Sequence, residues 1–189
     1  MLARIESLDH QLAAIPNLAE MRVGQAVMLR SWTNRVVAGT PEFLPAYEMP
    51  ALGLRTSTNG AGAWIARAWL EGGRYRFEGR VRAVPAVGSA SNAVTAALRV
   101  RSERKRSMGL DWGWDSRRTA EHRPGGETGQ IGHCARPATA GTNWTELACE
   151  VDLRQPAADL DFWCEASGPG EAFFELASLR VIRLNDPGR

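Results

Sequence analysis

A chain of 189 residues that is 44% hydrophobic and 23% charged is long enough for one domain with a real core, and its net charge of +2 selects no class of partner. No run approaches the roughly 18 apolar residues of a membrane span, so no membrane is expected among its partners. The charge is spread unevenly, with eight basic and four acidic residues over 99–123 against eight acidic residues and one basic (Arg154) over 144–175, and a bipolar domain of this kind is not expected to bind nucleic acid.

The N-terminal MLARIESLDH shows no apolar core of a secretory signal. Residues 1–16 instead read as a short amphipathic helix, because Ile5, Leu8, Leu12 and Ile15 repeat at heptad spacing and Pro16 ends the run. Two heptads do not hold a helix in isolation. The stripe therefore packs on the domain or forms a seam between copies of the chain, which makes a homo-oligomer through these four residues an expected partner.

The remainder, residues 17–186, reads as a β-domain, most clearly over 50–184. MRVGQAVMLRSW alternates loosely enough for a strand, and PEFLPAYEMP, with its three prolines, reads as an extended surface loop. Regular strand grammar begins at Ala51. ALGLRTS, AWIARAWL, YRFEGRVRAV and VTAALRVRS are separated by the turns STNGAG, EGG and PAVGSASN. In YRFEGRVRAV, Tyr75, Phe77, Val81 and Ala83 share one face while Arg76, Glu78, Arg80 and Arg82 share the other. Residues 102–142 break the rhythm as a long Gly-, Arg- and Pro-rich loop, with LDWGWD and QIGHCA as short strand candidates. Three closing runs follow. Leu147, Cys149, Val151 and Leu153 alternate with Glu146, Ala148, Glu150 and Asp152, then Leu160, Phe162, Cys164 and Ala166 alternate with Asp161, Trp163 and Glu165, and AFFELASLRVIRL ends the domain. Short strands at this spacing with no long helical pattern between them predict an all-β, antiparallel two-sheet β-sandwich carrying the short N-terminal helix.

Cys134, Cys149 and Cys164 make an odd count with no C-x-x-C. Reduced core thiols are the first expectation. A Cys149–Cys164 disulfide stands beside it, because a hairpin pairing Leu153 with Leu160 would set those two cysteines opposite each other. A metal site built from His133, Cys134 and a core cysteine matches no known zinc spacing.

GGRYRFEGRVRAV, AALRVRS, NWTELACEVDL and DLDFWCEASGPGEAFFELASLRVIRL, in that order over residues 50–184, resemble jelly-roll carbohydrate-binding modules and their galactose-binding-like relatives. The shared features are a G-x-Y-x-F strand, an alternating strand before a loop, a W-x-x-L strand and a closing aromatic-acid-x-x-S-L strand. The resemblance implies a jelly roll, non-catalytic glycan binding and an extracellular or cell-surface setting. It also allows a structural calcium ion. Glu175 stands at the later of the two places that hold it, but Asn17-Leu18-Ala19-Glu20-Met21 matches the earlier one poorly, so no cofactor is expected.

Sugar binding needs a flat aromatic face for pyranose C–H groups and planar polar groups for the hydroxyls. Trp112 and Trp114, two residues apart and flanked by Asp111 and Asp115, offer that combination in the long loop. Trp144 and Trp163 offer it among the carboxylates of the closing strands. The arginines of 101–118 add groups that pair with carboxylates or sulfates. The expected ligand-binding set is Asp111, Trp112, Trp114, Trp163 and Arg101, with a polysaccharide or other glycan as partner and no metal. The chain carries no G-x-S-x-G, H-E-x-x-H or P-loop, and no enzyme is expected. A structural or attachment module of an oligomeric appendage, fibre or tail, assembled through the N-terminal helix, is the alternative.

Overall fold

The computed structural model describes residues 18, 20–44, 50–88, 93–102, 129–139, 141 and 143–185. In chain order these form the strands β1 (Ala26–Met28), β2 (Thr33–Ala38), β3 (Glu42–Leu44), β4 (Ala51–Thr56), β5 (Ala61–Pro85), β6 (Thr95–Ser102), β7 (Gly129–Gln130), β8 (His133–Cys134), β9 (Ala138–Thr139), β10 (Thr145–Ser167), β11 (Gly170–Glu175) and β12 (Arg180–Asn185). Every pairing is antiparallel. The expected N-terminal helix, with Ile5, Leu8, Leu12 and Ile15, lies outside the described residues.

The frame is a ribbon of two long strands, β5 of 25 residues and β10 of 23, paired from Thr145↔Val81 to Ser167↔Ala61. The expected hairpin turn at Glu71-Gly72-Gly73 is absent, and β5 runs straight through it. The break between the first two closing runs is likewise a register shift inside β10, between Leu153 and Ala157. Both irregularities stand at one point, because Leu153 pairs with Gly73 and Ala157 with Glu71. There the inward set switches parity on both strands: Ala66, Ala68 and Leu70 give way to Tyr75 and Phe77, and Leu147, Cys149, Val151 and Leu153 give way to Leu160, Phe162 and Cys164. Three residues of β10 (154–156) face the single Gly72 of β5 there, a bulge of two extra residues at which both strands pass from one layer into the other. Gly73 accommodates it at φ +150°, where a Cβ would come within 3.2 Å of the Asn185 carbonyl oxygen. Pro156 has no N–H to give to the ladder.

Folding at this bend lays the two halves of the ribbon over each other, and Phe77 meets Phe162 edge-on at 5.1 Å. The first layer is β2, the start of β5, the end of β10, β6 and β7. The second is the end of β5 and the start of β10, with β12 and β11 along one side and β8 on the other. β4 extends the second layer from β11, and β3 extends it from β4, so part of the expected proline-rich loop is strand. A two-sheet sandwich is consistent with this antiparallel all-β arrangement. One core cluster fills the interior, with Phe77, Phe162, Phe174, Leu54 and Leu179 each 1% exposed or less.

The cysteines meet the first expectation at Cys164 alone and depart from the expected Cys149–Cys164 pairing. Cys134 and Cys149 form a disulfide between β8 and β10, and Cys164 is a buried free thiol. No Leu153–Leu160 hairpin exists to bring Cys164 opposite Cys149, because both leucines lie on one continuous strand. Cys149 faces Phe77 on one side and Cys134 on the other.

Candidate functional site

The outer face of the second layer is built by the polar parity of β5. Opposite Arg76 in the ladder stands Glu150, opposite Arg80 stands Glu146, and opposite Glu78 stands Arg180 on the other side. The register therefore sets guanidinium against carboxylate, the favourable cross-strand arrangement. Glu150 accepts from Arg74 at 2.6 Å and from Arg76 at 2.9 Å, Arg180 reaches Glu78 at 2.6 Å, and Arg80 reaches Glu175 at 3.2 Å. Hydrogen bonds from Arg76 and then Arg74 hold the Glu150 carboxyl below its ordinary value, so it stays charged at neutral pH.

Over these strands lies a groove of about 540 Å³ lined by Arg76, Glu78, Arg80, Glu146, Ser178 and Arg180, with Ala148 and Gly79 between them. Gly79 is required by the layer below, since a Cβ there would stand 2.6 Å from Cδ2 of buried Leu179. The Ser178 hydroxyl donates to the Glu175 carbonyl and accepts from the Arg80 N–H, both at 2.7 Å, which pins the short helical turn Leu176–Ser178 beside the groove. Half-buried Trp144 stands just before β10, two residues from Glu146, with the Arg82 and Arg80 guanidiniums 5.3 and 5.8 Å from its ring centre. Arg82 also lies 4.9 Å from the Phe173 ring, its partner in the β5–β11 register. The result is a strip of alternating aromatic and guanidinium groups running into a groove of fixed charges.

Of the expected site residues, Asp111, Trp112 and Trp114 lie outside the described residues. Trp163 and Arg101 are brought together, but on the outer face of the first layer, away from Trp144. Trp163 is 1% exposed and not the open platform the sequence suggests. It sits mid-strand between Ile65 of β5 and Arg99 of β6, and the guanidiniums of Arg101 and Arg35 lie 4.0 and 5.1 Å from its ring centre. The sequence grouped Trp144 and Trp163 on one polar face; the bend in β10 puts them on opposite ones. Arg80, Arg82, Arg180 and Phe173 were missed as site residues. Their signal was the outward alternation of β5, which reads as ordinary solvated surface until the register places β11 and β12 beside it.

Of the two places that the resemblance allows for a calcium ion, Asn17 and Ala19 of the earlier lie outside the described residues. Glu175 is engaged by Arg80. Among the described residues no three His, Cys, Asp or Glu side chains gather to hold a metal. No helix among them is long and apolar enough to cross a membrane.

No family model matches the chain, and no curated protein matches it. Among solved structures it is similar to TmCBM61 in complex with β-1,4-galactotriose, with 10% identity and a TM-score of 0.45, over 82% of this chain and 90% of that one. It is also similar to the CBM22-1 xylan-binding domain from Paenibacillus barcinonensis Xyn10C, with 12% identity and a TM-score of 0.45, over 87% and 98% of the two chains. A third likeness is to the enzymatically active domain of bacteriophage CBA120 tailspike protein 4, with 10% identity and a TM-score of 0.43, over 80% of this chain and 19% of that one.

Proposed function

We propose that this chain is a non-catalytic β-sandwich module of jelly-roll type that binds a glycan in the groove over β5. The observation that carries the reading is the combination of half-buried Trp144 with a groove beside it that holds the ion-paired Arg76, Glu78, Arg80 and Arg180 together with exposed Glu146. Hydroxyl groups need donors and acceptors in fixed directions, and side chains already held by ion pairs lose little further freedom when a ligand arrives. Trp144 supplies the apolar face that a pyranose ring stacks on. The groove volume falls within the roughly 300–1,000 Å³ usual for small-ligand sites. Trp112, Trp114 and Asp111 join the reading as further contacts expected from the sequence.

Titration with a panel of neutral and acidic polysaccharides, followed by affinity electrophoresis and tryptophan fluorescence, tests this. Trp144→Ala is expected to weaken binding at least about tenfold, the loss of one stacked ring. Arg80→Gln is expected to weaken it less. A flat response across the panel, or binding untouched by both substitutions, overturns the groove as the site.

A further inference from the structure

The outer face of the first layer carries a second constellation, independent of the groove and of its glycan reading. Trp163 is buried, yet it is no part of the hydrophobic core cluster. Four arginines, Arg35, Arg67, Arg99 and Arg101, and two acids, Asp161 and Glu165, occupy the positions around it. Arg67 donates to Asp161 at 2.9 Å and Arg101 to Glu165 at 3.1 Å. Arg35 and Arg99 make no ion pair among the described residues, which leaves the patch two positive charges in excess. Trp163 Nε1 and Arg101 Nε are both buried donors with no acceptor among the described residues. A buried N–H left unbonded costs about 1–3 kcal/mol, and these two belong to residues stacked 4.0 Å apart that supply no acceptor for each other.

We propose that this face is an oxyanion site. A carboxylate or sulfate accepts from Trp163 Nε1 and Arg101 Nε, while Arg35 and Arg99 supply the balancing charge. Exposed Arg35, on edge strand β2, is the group that swings aside to admit the ligand. Guanidinium groups recognise such oxygens in pairs, and the indole N–H adds a single directed donor. The anion is either free in solution or borne by an acidic sugar, and the two sources are separable.

The ¹⁵N-labelled chain gives one indole N–H signal per tryptophan, and that of Trp163 is assigned by its loss in Trp163→Phe. Sodium sulfate, titrated against sodium chloride at matched ionic strength, is expected to move this signal saturably while chloride does not. Trigalacturonate is expected to move it as well, and neutral galactotriose is not. If sulfate acts and trigalacturonate does not, the site stands and its ligand is a free anion. Arg35→Gln and Arg99→Gln are each expected to weaken sulfate about tenfold, the effect of one lost charged hydrogen bond. Arg55→Gln, which removes the same charge at the far edge of β4, leaves sulfate affinity unchanged. A Trp163 signal that ignores both anions, or moves equally in chloride, overturns the proposal and leaves the two donors to a water molecule. So does an affinity that Arg35→Gln and Arg99→Gln both leave intact. Trp144 reports the groove separately in the same spectra, so either site can fail alone.

Discussion

The two outer faces of this molecule are made from the same residue types and behave differently. Each has a tryptophan with two guanidiniums over it. At Trp144 the arginines stand 5.3 and 5.8 Å from the ring centre and the indole remains half-buried beside a groove. At Trp163 they stand 4.0 and 5.1 Å away and the indole is closed over. Position in the sheet accounts for the contrast. Trp144 precedes its strand, whereas Trp163 lies within it with a neighbour on each side and the buried alanines Ala63 and Ala97 on the same face. Exposure of an aromatic is thus set by its place along and across the ladder, even where its parity points away from the core.

Both faces depend on the doubling of the β5–β10 ribbon, so the largest effect is expected where its halves touch. Phe162→Ala removes the edge-on contact with Phe77 and opens a cavity between the layers. Substitutions of this kind cost about 3–5 kcal/mol. Denaturant unfolding at neutral pH measures it. A loss under about 1 kcal/mol would show that the layers are held together elsewhere than at this pair.

The strand grammar was legible because alternation survives any higher-order folding. Leu147 to Leu153 and Leu160 to Ala166 are buried as their spacing requires. What the spacing could not carry is the continuity of the strand between them. A parity switch with a proline and polar residues looks the same whether the chain turns back or bulges onward. The reading of Gly72-Gly73 as a hairpin has the same origin, and only the pairing of Leu153 with Gly73 shows the two irregularities to be one bend. The disulfide followed from that error, since its partner strand β8 has only two residues and no periodicity to read. The candidate groove was half legible. Its charges were visible as the outer face of β5, but its wall comes from Ser178 and Arg180, about a hundred residues away in the chain.

The disulfide separates the faces again, with a smaller effect. Cys134–Cys149 ties β8 to the second layer, and Ala135 just beyond it lines the groove. Closing a loop of 15 residues is worth about 3 kcal/mol in the chain-entropy account. Reductant is expected to lower stability by up to that amount and to perturb the Trp144 indole signal while leaving that of Trp163 in place. Cys164→Ala should not alter the response to reductant, because that thiol is free and its burial pushes its ionisation well above the ordinary range. A Trp163 signal that moves as much as that of Trp144 would mean that the layers do not respond separately.

The smallest effect concerns Glu150, which holds the groove residue Arg76 from outside the groove. Glu150 bonds Arg76 and Arg74, which lowers its folded pKa below the ordinary 4.5. A depressed carboxyl contributes stability that is fully present above the unfolded pKa and disappears as pH falls through the folded one. Wild type should therefore exceed Glu150→Gln by a constant margin at pH 6–7, and the margin should shrink to nothing below the carboxylate range. With the Glu150 side chain 31% exposed and its arginines 40% and 52% exposed, solvent screens the pairs and the margin should not exceed about 1 kcal/mol. Stability curves of the two proteins from neutral pH into acid decide it. A margin that persists undiminished in acid would mean that Glu150 acts by packing, and that Arg76 is held beside the groove by shape where its register argues for charge.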